Sequence, residues 1–373
     1  MGIELNRIYH GHCMDLFKQL DDESIDSVIT SPPYWQLRDY KWDGQWGLEP
    51  TFKMYLENLW SMMDEVWRVL KPTGTVWVNL GDTYNGNKKG HTDNKTNQSL
   101  KLMGLTKEKD ENVADKCLLL IPHRFAIGCI DRGWIIRNDI IWAKRNGMPE
   151  SCIDRFSKKH EYFFLMVKSQ KYYFDLDGVK DRTKTKDSHR RDRDTTKLNN
   201  TPGRTKMGGL VENNYATRNP GTVSDFWDIP TVPSSDEHYA AYNDKLIGKP
   251  IVAGCPQYVC NKCGNPREKI IENTPMVINL SSRTEKMGLT KSKRVPSGTM
   301  VSPAINKVIG LTDCGCNEGF SPGVILDPFC GTATTGCRAL ELGRNFIGFE
   351  GSEKFVKMGN KNLLPYLQQT KLF

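Results

Sequence analysis

Ile25-Asp26-Ser27-Val28-Ile29 runs directly into Thr30-Ser31-Pro32-Pro33-Tyr34-Trp35, and the reading of this stretch decides the rest of the chain. The first five residues form a short β-branched run of the kind that makes a buried strand. The polar tetrad therefore falls where that strand ends. Proline has no amide hydrogen and restricts its predecessor, so Pro33 holds Pro32, and Pro32 holds Ser31, in extended backbone. The product is a stiff turn whose carbonyls face outward, with Tyr34 and Trp35 presenting rings beside them. Rigid acceptors next to a ring suit a flat heterocycle gripped by its exocyclic amine. The plainer alternative is a Pro-Pro loop that merely closes a strand.

An exocyclic amine is a weak nucleophile because its lone pair is delocalised into the ring. An enzyme that transfers a group to it must hold it in acceptor hydrogen bonds and align it with the leaving group. The Ser31 hydroxyl and the Pro32 carbonyl have that chemistry.

A second anchor lies near the other end. Gly323-Val324-Ile325-Leu326-Asp327-Pro328-Phe329 reads as a short apolar strand, Cys330-Gly331-Thr332-Ala333-Thr334-Thr335-Gly336 as a small-residue turn, and Cys337 to Leu342 as a helix. The next strand, Asn345-Phe346-Ile347-Gly348-Phe349, ends in Glu350. This is the nucleotide-binding logic of an open α/β sheet: small residues admit the ligand to the backbone and an acid one strand on takes a ribose diol. It lacks both G-x-G-x-x-G and the Gly-Lys-Ser/Thr of a phosphate loop. Adenosine with a carboxylate tail fits better than a pyrophosphate, and S-adenosylmethionine is such a ligand.

Between the anchors, Phe52 to Leu70 carries Leu56, Leu59, Trp60, Met63, Val66 and Trp67 at helical spacing, which places its tryptophans in the core. Lys71-Pro72-Thr73-Gly74 reads as a turn into a strand over Thr75–Leu80, with Asn79 and Asp82 near its carboxyl end. A polar excursion covers 85–116. A helix is expected over Leu118–Asp131, strands over 133–142 and 161–167, and a further strand at Lys171–Phe174 that pairs with its predecessor as an edge hairpin. Helix and strand in alternation predict a mainly parallel sheet with helices on both faces.

The chain has 373 residues, enough for one large or two modest domains, and its eleven cysteines, in an expected intracellular chain of this size, argue against a disulfide framework. No apolar run approaches membrane-span length and the N-terminus lacks a signal-peptide profile, so a cytoplasmic protein with no membrane partner is expected. The net charge of +8 is concentrated between 180 and 221, where Lys184, Lys186, Arg190, Arg191 and Arg193 lie. That segment is either a solvated loop or one that contacts phosphates and orders on nucleic acid. Cys260-x-x-Cys263 and Cys314-x-Cys316 supply two close thiol pairs, the ligand count of a structural zinc site; four unrelated thiols are the alternative.

Both anchors together resemble the amino-group DNA methyltransferases of the β arrangement, in which the catalytic motif precedes the cofactor motif and target recognition lies between. Leu70-Lys71-Pro72-Thr73-Gly74, Trp142-Ala143-Lys144 and Ile251-Val252-Ala253-Gly254-Cys255-Pro256 add to the match. It is poor over 85–116, 180–222 and 264–313. The resemblance implies a Rossmann-like, circularly permuted S-adenosylmethionine-dependent methyltransferase fold. It divides the chain into a catalytic half (1–179), a basic recognition region (180–250), a helix with a zinc-knot insertion (251–322) and a cofactor half (323–373). It implies that Asp327, Phe329, Gly331, Thr332, Thr334 and Thr335 line the cofactor site, that Glu350 binds the ribose, and that Ser31, Pro32, Pro33 and Tyr34 hold and stack a base flipped out of double-stranded DNA.

Two departures stand out. The family usually has Gly-Ser-Gly-Thr-Thr where this chain has Gly331-Thr332-Ala333-Thr334-Thr335, which tightens the turn, and Gly-Asp-Cys where this chain has Gly11-His12-Cys13. Serine before Pro-Pro-Tyr leans toward cytosine N4 over adenine N6. Methylation at cytosine C5 and base deamination are disfavoured, because the chain has neither a Pro-Cys dipeptide nor the zinc-deaminase signature. A catalytically silent DNA-binding relative and an RNA methyltransferase remain as other classes. A second copy of the chain and a cognate restriction endonuclease are the protein partners the resemblance allows.

Overall fold

A computed structural model of the protein describes residues 3–86, 110–147, 150, 152–180, 223–231, 243–274, 277–280, 298–302 and 305–368. The β-branched run at 25–30 is buried along its whole length, as a strand covered on both faces must be. It is the second strand of an eight-stranded sheet. In chain order the strands are β1 (Arg7–His10), β2 (Ile25–Thr30), β3 (Leu70–Leu80), β4 (Ile135–Ala143), β5 (His160–Val167), β6 (Phe226–Asp228), then β13 (Val324–Asp327) and β14 (Asn345–Glu350); β7 to β12 lie in a separate unit. Across the sheet the order is β1-β14-β13-β2-β3-β5-β4-β6. Every neighbouring pair is parallel except the two made by β5.

The late strands β13 and β14 thus sit between β1 and β2, which is the permuted arrangement expected. Strand β1 escaped the sequence reading, since four residues alone give no alternation to count. Its register with β14, running from Arg7 opposite Ile347 to His10 opposite Glu350, makes it one edge of the sheet.

The helices are α1 (Cys13–Phe17), α2 (Phe52–Val69), α3 (Ile121–Asp131), α4 (Leu176–Val179), α5 (Asp244–Gly254), α6 (Thr334–Glu341) and α7 (Glu353–Gln368). Strand periodicity divides them between two layers. Val28, Val76, Val78, Phe164 and Met166 pack with α1, α2 and α3. Ile29, Trp77, Phe163, Leu165 and Val167 pack with Ile247 and Ile251 of α5, Ala339 of α6 and Leu363 of α7. Helix α2 starts where Thr51 caps it, its side chain accepting from the Met54 amide at 3.2 Å. Trp60 and Trp67 are only partly buried, at the margin of the core. Trp60 donates to the Phe125 carbonyl, and Trp67 meets Trp134 edge-on.

Several elements differ from expectation. Lys71–Gly74 is a bulge rather than a turn: Ile25 pairs with Leu70 and Ser27 already with Thr75. Helix α3 begins at Ile121 because Pro122 occupies its first turn. Lys171–Phe174 is not a strand, so the expected edge hairpin is absent there; Tyr173 instead donates to the Thr73 carbonyl at 2.9 Å. Strand β5 pairs antiparallel with both β3 and β4, in the interior of the sheet. Helix α6 starts at Thr334, three residues before the expected Cys337.

Of the polar excursion, 87–109 lie outside the described residues, as do 181–222 with Lys184, Lys186, Arg190, Arg191 and Arg193. The described rim of the excursion is pinned by buried Asn85, whose amide donates to the Asp110 and Val113 carbonyls.

Residues 256–323 form a second unit. It pairs β7 (Val259–Cys260) with β12 (Phe320–Ser321), β8 (Lys269–Thr274) with β11 (Ile305–Leu311), and β9 (Val277–Leu280) with β10 (Gly298–Ser302), all antiparallel.

Candidate active site

Parallel strands deliver their carboxyl ends to one edge, and here Thr30, Leu80, Asp327 and Glu350 end β2, β3, β13 and β14 there. The Thr30 hydroxyl donates to Asp327 Oδ1 at 2.8 Å, so the two anchors touch directly. Asp327 Oδ1 also accepts from the Phe329 amide at 3.1 Å, and its Oδ2 from the Thr335 hydroxyl at 2.7 Å. Asp327 is only 1 % exposed and stands behind the cleft wall, bracing the turn that forms it.

A cleft opens at this edge. Ser31 and Pro33 from the first anchor line it together with Phe329, Gly331, Thr332, Thr334, Thr335 and Glu350 from the second. Glu350 Oε2 accepts from the Gly331 amide at 3.0 Å and Oε1 from the Ser352 amide at 2.8 Å. Burial raises its carboxyl above the usual range. Ala333, where the resembled family has glycine, takes a left-handed φ of 71° and is fully buried. An L-residue there costs about 1 kcal/mol, so the turn keeps the glycine geometry under strain rather than changing it.

Sequence reasoning missed the other wall. Tyr40, Trp42, Gln45 and Trp46 reach the cleft from the loop after the Pro-Pro turn, and Phe355 reaches it from α7. The loop is closed by the Gln36 amide donating to the Gly47 carbonyl at 2.6 Å. The Trp46 ring lies 5.5 Å from those of Phe329 and His12. The Trp42 indole fills the space a Cβ on Gly351 would occupy, at 2.1 Å. The density of Trp and Gly between Trp42 and Gly47 was the available signal; Phe355 had none.

Pro32 is buried beneath the turn, and Tyr55 donates to the Pro33 carbonyl at 2.8 Å. The Tyr34 ring packs against Gly81, and its hydroxyl is 3.0 Å from Asn79 Oδ1 and 2.8 Å from Glu161 Oε2. Asn79 donates to the Tyr162 carbonyl, which turns its oxygen toward Tyr34 and the Ser31 hydroxyl, the latter 3.5 Å away. Burial, and next the Glu161 charge, keep the Tyr34 phenol protonated far above its usual range. Asp82 caps α3 through the Ile121 amide at 3.1 Å, so its place near the strand end is a structural one.

In the second unit, Cys260, Cys263, Cys314 and Cys316 bring their sulfurs within 4.8 Å of one another. The Cys263 and Lys262 amides lower the Cys260 thiol to about 6, while the hydrogen bonds that the Cys316 thiol donates to the Cys314 and Cys263 sulfurs push it up to about 12. Four thiols this close share few protons comfortably, and a soft divalent cation is the group that lets all four ionise.

Among the described residues no helix is long and apolar enough to cross a membrane. The chain matches the family model for DNA methylases of the N6/N4 class over residues 25–255 and 314–361, leaving out most of the second unit. It is 34% identical over 253 residues to the Type II methyltransferase M.Cfr9I of Citrobacter freundii, covering 67% of this chain and 74% of that protein. To the Type II methyltransferase M.SmaI of Serratia marcescens it is 27% identical over 358 residues, covering 96% and 90%. Among solved structures, the PvuII DNA methyltransferase (cytosine-N4-specific) shares the fold with a TM-score of 0.52 at 15% identity, over 98% of this chain and 92% of that one.

Proposed function

The chain belongs to the N6/N4 family of DNA methylases, S-adenosylmethionine-dependent methyltransferases of mainly parallel α/β fold, and on that premise we propose that it methylates the N4 amine of cytosine in duplex DNA. The observation that carries the reading is the shared cleft: Ser31 and Pro33 line the same space as Gly331, Thr332 and Glu350.

The residues fit the methyl donor. Glu350 faces the cleft with both oxygens oriented by backbone amides, ready to accept from a ribose diol. Gly331 and Thr332 leave room for a ligand against the backbone, and Trp46 and Phe329 give it apolar walls. Bound there, S-adenosylmethionine supplies an electrophilic methyl group.

Ser31 and the Pro32 carbonyl accept the two hydrogens of the target amine, which turns its lone pair toward the donor. As the new N–C bond forms, the donor's S–CH3 bond would break to release the thioether, and the amine would give up one proton to water. A paired amine is unreachable, so the base leaves the stack at a cost of a few kcal/mol and lies beside the Tyr34 ring. Serine before Pro-Pro-Tyr is the ground for choosing cytosine. Lys184, Lys186, Arg190, Arg191 and Arg193 would supply phosphate contacts whose strength falls with salt. The four-cysteine cluster would hold a structural zinc ion, and the Type II designation of the relatives supports a modification role alongside a cognate endonuclease.

The test is incubation with tritium-labelled S-adenosylmethionine and mixed-sequence duplex DNA, followed by nucleoside separation. Label in N4-methylcytosine, lost in Ser31→Ala, is the expected outcome. Label in N6-methyladenine overturns the choice of base and keeps the rest.

A further inference from the structure

Strand β5 runs against its neighbours, so its amino end, not its carboxyl end, reaches the catalytic edge. It brings Glu161 there. Glu161 lies opposite Trp142 of β4, forms an ion pair with Lys144, and accepts from the Tyr34 hydroxyl at 2.8 Å. The two charged side chains are 16% and 20% exposed, a setting in which each neutralises the other. Lys144 in turn sits 4.1 Å over the Trp142 ring.

The Tyr34 hydroxyl has one hydrogen and two acceptors within reach, Glu161 Oε2 and Asn79 Oδ1. A carboxylate outcompetes an amide oxygen for that hydrogen. With Glu161 ionised, the phenol hydrogen points away from Asn79. The Asn79 oxygen, a long contact at 3.5 Å, and the Tyr34 oxygen itself are then both left as inward acceptors for the Ser31 hydroxyl, which turns its lone pairs outward to the cleft. With an amide in place of that carboxylate the two acceptors become alike, and Tyr34 competes with Ser31 for Asn79.

We propose that Glu161, held by Lys144, is a positioning residue: through Tyr34 and Asn79 it sets the direction of the Ser31 hydroxyl, making Ser31 an acceptor for the target amine. This rests on the reading of Ser31 as the group that holds the amine. Glu161 touches neither the base nor the methyl donor in this role.

The experiment compares the wild-type chain with Glu161→Gln, Tyr34→Phe and the double variant, using tritium-labelled S-adenosylmethionine and unmethylated mixed-sequence duplex DNA. The readouts are kcat, KM for DNA, and the calorimetric Kd for S-adenosylmethionine. Glu161→Gln is expected to lower kcat by about ten- to a hundredfold, as misdirected catalytic groups do, with the Kd unchanged within about twofold. The double variant is expected to match Tyr34→Phe, because without the phenol there is nothing for Glu161 to direct. Lys144→Met, which leaves the acid in place without its partner, is expected to act in the same direction and covers the case in which Glu161→Gln does not fold. A kcat for Glu161→Gln within about twofold of wild type, or losses that multiply in the double variant, overturns the proposal. Failure of the wild-type chain to label DNA overturns the functional reading beneath it, and shows in the control before any variant is measured.

Discussion

Thr30 and Asp327 stand 297 positions apart in the chain and share a buried hydrogen bond of 2.8 Å. They close the carboxyl end of the seam between β2 and β13. The other end is closed in the same manner, by Asp26 Oδ2 accepting from the Val324 amide at 2.8 Å. Two strands from opposite ends of the sequence are thereby fixed in register at both ends. The Ser31 turn and the Gly331 turn follow directly from that register, which is why they open onto one cleft.

Thr30→Val keeps the shape of the side chain and removes its donor. Asp327 Oδ1 retains the Phe329 amide and loses its second partner. A loss of stability of about 1–3 kcal/mol is expected. Because Asp327 braces the Gly331 turn, the proposed function has S-adenosylmethionine binding more weakly as well. Thermal melting and calorimetry check both; an unchanged Tm would remove the bracing role assigned to this pair.

Gly81→Ala tests the seat of Tyr34. A Cβ at position 81 would stand 2.6 Å from Tyr34 Cε2 and 2.9 Å from Cδ2, so the ring must move. Methyl transfer should fall by about tenfold or more, since displaced catalytic groups cost that much, while cofactor affinity holds because Glu350 and the Gly331 turn are untouched. Steady-state kinetics beside a binding isotherm separate the two; equal loss in both would mean a general collapse of the edge.

Lys71→Met leaves Asp26 buried without its cation. The pair is 2.7 Å apart, and burial already raises the Asp26 carboxyl above its usual range despite Lys71. A group whose pKa is raised on folding favours the folded state when protonated, and that contribution is lost as pH rises through the raised value. Removing Lys71 raises it further. The variant should therefore be destabilised by about 3–5 kcal/mol at neutral pH, and less as the pH is lowered toward the acid range. Denaturation midpoints across that range decide it, and a gap that widens on acidification contradicts the argument.

The cysteine cluster makes its own prediction. About one zinc per chain should copurify, as a four-thiolate site requires. Cys316→Ser or a strong chelator should release it and open 256–323 to proteolysis, since structural zinc binding is itself folding energy in so small a unit. Metal analysis and limited digestion are the measurements. A metal-free chain that resists protease equally well would count against zinc.

Much of this was legible in the amino-acid order. The β-branched runs at 25–30 and 324–327, the periodic helix at 52–69 and the two small-residue turns are local patterns, and local patterns determine local elements. Four thiols in two close pairs likewise announce their own meeting. Lys171–Phe174 shows the limit: its aromatic run suits a strand, yet both sides of the preceding strand β5 are taken by β3 and β4, and it remains irregular.

The sequence alone thus set the strongest local elements and the residue types that offer acceptor, acid and thiolate chemistry. Only the tertiary structure decided which of them meet. Strand β1 gains its place from pairing with β14, not from its four residues. Glu161 reaches Tyr34 because β5 happens to run antiparallel, and Phe355 reaches the cleft because α7 folds back over β1 and β14. Backbone propensity is set within a few residues, whereas strand pairing and burial are settled by the whole hydrophobic surface at once.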